Sequence, residues 1–150
     1  MIKYSNYSIV FREIPDKVSL SINITNCQNK CEGCHSAYLR ENIGEELTNE
    51  RLIKLIDDNK GIDCVIFMGH GDDLNRICDL SKIVKSKNIL VALYSGNNIV
   101  EKEIFQYFDY VKIGQYIRER GGLDNINTNQ RMYKISNNNI EDITRQFQKI

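Results

Sequence analysis

Apolar and polar positions alternate along residues 18–24 (Val-Ser-Leu-Ser-Ile-Asn-Ile), the period-two pattern of a strand with one buried face. Residues 7–13 are expected to pair with it across a turn at Pro15-Asp16, where proline presets the backbone. The period then changes. Leu52, Leu55 and Ile56 share a helical face behind Thr48, a side chain able to cap the first turn. Residues 62–68 form a continuous apolar run ending in glycines, as in a fully buried strand. The same unit recurs. Leu74, Ile77, Cys78 and Val84 predict a helix before a strand over 89–94, and Val100, Ile104 and Phe105 another before a strand over 107–113. Asn139 is expected to cap a last helix carrying Ile140, Ile143, Phe147 and Ile150 at spacings of three and four. Such alternation predicts an α/β fold with a mostly parallel sheet and right-handed crossovers. About five strands are too few to close an eight-stranded barrel, so a short partial (β/α) barrel is expected.

In a sheet of this kind ligands gather at the carboxyl ends of the strands, and each unusual loop of the chain follows a predicted strand. Gly69-His70-Gly71-Asp72-Asp73 follows the second, Ser95-Gly96-Asn97 the third and Gly114-Gln115-Tyr116 the fourth. Gly69 and Gly71 would let backbone approach a ligand closely, and Asp72 or Asp73 could accept hydrogen bonds from an ammonium group. The competing reading is a glycine turn whose acidic residues simply start the next helix. Lys112 either reaches a carboxylate from the sheet end or lays its stem along the sheet.

A chain of 150 residues fits one domain over residues 1–150, long enough to bury a core of its own. Twenty basic and twenty acidic side chains cancel, and no basic run resembles a nucleic-acid footprint, so nucleic acid is not expected as a partner. No apolar stretch approaches the roughly twenty residues that span a bilayer, so no membrane partner is expected either. Residues 1–10 hold one lysine and no apolar core, unlike an export signal. Five cysteines cannot form a complete disulfide framework, and reduced thiols point to the cytoplasm.

The cysteines carry the strongest signal. The first predicted strand runs into Cys27-Gln28-Asn29-Lys30-Cys31-Glu32-Gly33-Cys34-His35, which sets Cys27, Cys31 and Cys34 at spacings of three and two intervening residues. Three clustered soft ligands suit an iron–sulfur cluster, and a four-iron cubane so held would leave one iron open to a small molecule. Other readings remain at this level. Cys31-Glu32-Gly33-Cys34-His35 matches the haem-attachment pattern C-x-x-C-H but leaves Cys27 unexplained. Structural zinc on the three thiols with His35 or His70 lacks the usual second ligand pair. An electron-transfer module whose cluster takes a fourth ligand from elsewhere is the third. Cys64, in a predicted buried strand, and Cys78, on an apolar helix stripe, read as small core residues.

The spacing C-x3-C-x2-C resembles the signature loop of the radical S-adenosylmethionine (radical SAM) enzymes. Further segments in order narrow the resemblance: the Gly69 loop, Leu93-Tyr94-Ser95-Gly96, Asp109-Tyr110-Val111-Lys112-Ile113-Gly114, Gly121-Gly122-Leu123 and Thr128-Asn129-Gln130-Arg131. Together they look like the activating component of the anaerobic (class III) ribonucleotide reductase, over about residues 10–133. The chain departs from that family where His70 stands between Gly69 and Gly71, since relatives usually carry two adjacent glycines and then an acidic residue. The resemblance implies a radical SAM type of barrel, with Cys27, Cys31 and Cys34 holding a [4Fe-4S] cluster whose fourth iron is chelated by S-adenosylmethionine. One electron, from a low-potential donor such as a flavodoxin or ferredoxin, would split the sulfonium. The resulting 5′-deoxyadenosyl radical would take a hydrogen from a glycine of a large glycyl-radical enzyme, the reductase. On this resemblance Gly33, Cys34 and His35 border the nucleoside, Gly69, Gly71 and Asp72 lie near the amino group, and Ser95 meets the ribose or carboxylate. The segments 118–123 and 128–131 are implied as docking surface. Another glycyl-radical enzyme or a small metabolite is the alternative substrate.

Overall fold

The computed structural model describes residues 1–27, 41–137 and 139–148. Cys31, Gly33, Cys34, His35 and Ile150, all named above, lie outside these described residues.

Among the described residues eight strands form one open sheet in the order β3-β1-β2-β4-β5-β6-β7-β8. They are β1 Lys3–Val10, β2 Ser19–Ile24, β3 Glu45–Glu46, β4 Cys64–Met68, β5 Leu90–Tyr94, β6 Tyr110–Ile113, β7 Arg131–Ser136 and β8 Asn139–Asp142. The alternation of residues 18–24 and the apolar run before Gly69 do form neighbouring strands, with Leu20 opposite Val65 and Ile22 opposite Phe67. The turn at Pro15-Asp16 is also present: Asp16 sits at φ 62° and the Lys17 amide donates to the Ile14 carbonyl at 3.2 Å. It brings β1 back antiparallel to β2, with Tyr7 opposite Ile22.

The mostly parallel, partial (β/α) barrel of about five strands is not what the chain builds. Four of the seven neighbouring strand pairs, β1–β2, β1–β3, β6–β7 and β7–β8, are antiparallel; β2–β4, β4–β5 and β5–β6 are parallel. Hairpins extend the sheet at both sides, so it widens instead of curling into a radical SAM type of barrel. The expected last helix is the clearest instance. Asn137 takes φ 49°, and the chain reverses so that Asn139 faces Ser136 and Ile140 faces Ile135 across a tight hairpin. Only a short 3-10 turn, Thr144–Phe147, follows. Ile143 is buried there, so the apolar spacing served a packing need without an α-helix.

Three helices appear among the described residues: α1 Asn49–Asp58, α2 Leu74–Ser86 and the single turn α3 Lys102–Phe105. Thr48 caps α1 by accepting the Arg51 amide at 3.1 Å, and Asp73 caps α2 by accepting the Arg76 amide at 3.0 Å. Each lies in a crossover that moves the chain one strand further along the sheet, and their apolar side chains join one cluster, which sets all of them on one face. That face is the main core. Leu52, Leu55, Ile77, Leu80, Val84 and Phe105 pack on Ile22, Val65, Phe67, Leu93 and Val111. The opposite face buries a smaller cluster in which Ile14, Met132 and Ile143 meet Cys64, Ile66, Ala92, Tyr94 and Tyr110. No helix among the described residues is long and apolar enough to cross a membrane.

Candidate functional site

Because β2, β4, β5 and β6 are consecutive and parallel, the segments that leave them emerge at one end of the sheet. Cys27 is three residues past β2 and partly exposed. The segment it opens is tied at both of its described ends. The Asn26 amide donates to the Glu41 carbonyl at 2.9 Å, and the Thr25 hydroxyl donates to the Ile43 carbonyl at 2.6 Å. Cys27 is the one candidate ligand of the three that lies within the described residues. Among these no group of three or more His, Cys, Asp or Glu is placed to hold a metal ion. The fit to an iron–sulfur cluster therefore rests on the donor set, three soft thiols within eight residues, and on the tying of the segment's ends beside the other loops.

Cys64 and Cys78 differ in kind. Both are buried, on opposite faces of the sheet. Burial pushes the Cys64 thiol up to about 12 and raises that of Cys78 as well, so each stays protonated at neutral pH. A protonated, buried thiol is a packing group, and metal ligation needs the thiolate.

The loop after β4 is built on its glycines. Gly69 has φ 103°, and its amide donates to the Tyr94 carbonyl at 2.8 Å, which carries the chain off the sheet. A Cβ there would meet nothing closer than 3.7 Å, so the demand is for conformation and not for room. Gly71 combines both demands: φ is 56°, and a Cβ would stand 3.0 Å from the Thr25 carbonyl oxygen of the cysteine-bearing segment. The contact sets this loop directly against the start of that segment. Gly71→Ala is expected to destabilise the protein by about 1–3 kcal/mol through left-handed strain and crowding at Thr25. Urea unfolding checks this; an unchanged midpoint would mean that the loop rearranges freely.

The acidic pair divides its roles. Asp73 is occupied as the α2 cap, whereas Asp72 is exposed beside it. Ser95 is 2% exposed, and its Oγ accepts the Asn97 amide at 3.0 Å. His70 Nε2 lies 3.0 Å from the same oxygen. Burial lowers the His70 pKa, opposed by a hydrogen bond to the Gly71 backbone. Nε2 and the Ser95 hydroxyl thus share one hydrogen bond, whose donor is set by the ring tautomer. With Nε2 engaged, that nitrogen is poorly disposed to be the fourth ligand of a zinc site. Lys112 holds its ammonium 5.0 Å from the Tyr94 ring centroid, a cation–π contact on the face opposite the helices.

Of the two segments implied as docking surface, 128–131 turns partly inward. Thr128 is 2% and Gln130 5% exposed. The Thr128 hydroxyl donates to the Gly121 carbonyl at 3.3 Å, and Gln130 Nε2 donates to the Gly114 carbonyl at 3.3 Å. Thr128 and Gln130 thus serve loop packing, while Arg118, Glu119, Arg120 and Arg131 remain exposed. A cavity of about 410 Å³, lined by Asp16, Lys17, Asp109, Tyr110, Lys134 and Glu141 among others, opens at the opposite end of the sheet and contacts none of the candidate residues.

No protein-family model matches the chain, and a search of curated proteins finds no relative.

Proposed function

We propose that the chain is a radical SAM activase, which uses S-adenosylmethionine at a [4Fe-4S] cluster to generate a glycyl radical on an anaerobic ribonucleotide reductase. The observation that carries this reading is Cys27: it opens a C-x3-C-x2-C segment at the sheet end where the glycine loop after β4 and the Ser95 loop also emerge. The resemblance of the ordered motifs to that family supports it, and so does the inert burial of Cys64 and Cys78, which leaves Cys27, Cys31 and Cys34 as the thiols suited to ligation.

On this reading a bound cluster and S-adenosylmethionine, given one electron from the donor, would supply the radical that takes the hydrogen, and the chain would supply anchoring and orientation. The Cys27 thiolate is one anchor. The exposed Asp72 carboxylate is the acceptor for the methionyl ammonium, and the Gly69–Gly71 backbone lets the ligand lie close. The substrate is a glycine backbone, because glycine offers an α-carbon with no side chain in the way. The cytoplasm is the matching compartment, with a flavodoxin or ferredoxin as electron donor.

The test mixes the anaerobically reconstituted, reduced protein with S-adenosylmethionine and a reductase from the same organism. A glycyl doublet in the electron paramagnetic resonance spectrum of the reductase is expected. Stoichiometric consumption of a small metabolite without that doublet would replace the activase reading with a small-molecule radical enzyme.

A further inference from the structure

A run of hydrogen bonds crosses the carboxyl end of the sheet from loop to loop. It starts at His70 after β4 and passes to the Ser95 hydroxyl after β5, 25 residues away. Ser95 Oγ accepts the Asn97 amide at 3.0 Å, and the Asn97 carbonyl accepts the Gly114 amide, after β6, at 2.7 Å. The Gly114 carbonyl in turn accepts from Gln130. Of its four links only that between Asn97 and Gly114 joins backbone to backbone. The first is the one made by two side chains, an imidazole and a hydroxyl.

That link joins a segment with little stiffness of its own. His70 is flanked by Gly69 and Gly71, both at positive φ, and glycine restricts the backbone least of all residues. Asp72, the exposed carboxylate, follows directly. On its other side the loop touches the Thr25 carbonyl, just before Cys27. The Gly69 amide at Tyr94 and the Asp73 cap hold the two ends of this loop, and the His70 ring ties its middle, between the cysteine-bearing segment and the Ser95 loop. Because Ser95 is 2% exposed, water cannot readily replace the ring when it is removed.

We propose that His70 is a positioning residue: acting through Ser95, it holds the loop carrying Asp72 in place for the ammonium end of S-adenosylmethionine. The proposal rests on the function given above and assigns a purpose to the residue at which the chain departs from the double-glycine pattern. His70 itself need not touch the ligand.

The test compares His70→Ala, His70→Gln, Ser95→Ala and the double alanine variant with the parent protein. Amide exchange at Asn97 and Gly114 is read without S-adenosylmethionine, and the ligand's affinity is read by titrating the electron paramagnetic resonance signal of the reduced cluster. His70→Ala is expected to weaken binding about tenfold and to speed Asn97 exchange about tenfold, the equivalent of one lost buried hydrogen bond. His70→Gln, whose amide oxygen can accept the Ser95 hydroxyl, should restore affinity to within about twofold of the parent. The double variant should be no weaker than the worse single, since both break the same link. Should His70→Ala fail to fold, His70→Phe, which keeps a ring but cannot bond to the Ser95 hydroxyl, decides the matter by the same readouts. Affinity unchanged in the alanine variants, no rescue by glutamine, or independent losses in the double variant would each overturn the proposal. A parent protein with a full cluster that does not bind the ligand would instead remove the functional reading and the proposal with it, while amide exchange would still report whether the loops are tied.

Discussion

Cys27→Ala is expected to abolish a stable four-iron cluster after anaerobic reconstitution, whereas Cys64→Ala and Cys78→Ala should retain it. A cubane held by three thiolates loses a corner anchor with each one removed, and nothing in the same segment offers a replacement thiol. The two buried cysteines cannot substitute, because the sheet seals them on opposite faces as protonated thiols. Iron and sulfide per chain, with the visible absorbance of the cluster, measure the outcome. Loss of the cluster from a well-folded Cys64→Ala or Cys78→Ala protein would show the ligand assignment to be wrong.

The largest effect on stability is expected from Phe67→Ala, at about 3–5 kcal/mol. Phe67 is 0% exposed and sits in the middle of the sheet, opposite Ile22 on β2 and Leu93 on β5, under the helices of the main core. Helices on one side and fixed strands on both others leave the cavity little freedom to collapse, which places the cost toward the upper part of the range. Urea denaturation of the parent and variant gives the difference directly. A loss below about 1.5 kcal/mol would mean that the core relaxes around the gap.

The parts of the fold that were plain in the sequence are those whose burial leaves a period. β2 alternates because one face is packed and the other partly polar, β4 is apolar throughout because both faces are covered, and α1 and α2 show helical stripes behind capping side chains. The edges leave no such mark. β3 is Glu45–Glu46, both exposed, and its pairing to Lys3 and Tyr4 depends on where α1 and β1 already lie. β8 is exposed at all four positions, Ile140 among them, and of the three residues whose spacing mimicked a helix Ile143 alone is buried, with Phe147 packed partly against the same cluster. Those edges decided the architecture.

The candidate site was legible to a similar degree. Parallel neighbours guarantee that the cysteine segment and the later loops share a sheet end, and that much follows from strand order alone. Asp73 as a helix cap is a local signal, since an acidic residue just ahead of a helical stripe suits its first turn. The His70–Ser95 bond was not legible, because two ordinary residues in separate loops meet only through the stacking of β4 on β5. The inward turn of Thr128 and Gln130 was equally hidden, since polar residues in a loop read as surface until their carbonyl partners at Gly121 and Gly114 are known.

The strand order carries a consequence for how the chain assembles. From β5 onward each strand pairs with the one made just before it, so this half of the sheet can grow by short closures in the direction of synthesis. The long closures are those of β1 on β3 and β2 on β4, and both enclose the cysteine segment. Closing a longer loop costs more chain entropy before its contacts repay it. The slow step of assembly therefore falls on the amino-terminal half, and whatever draws Cys27, Cys31 and Cys34 together shortens the loop that step must close.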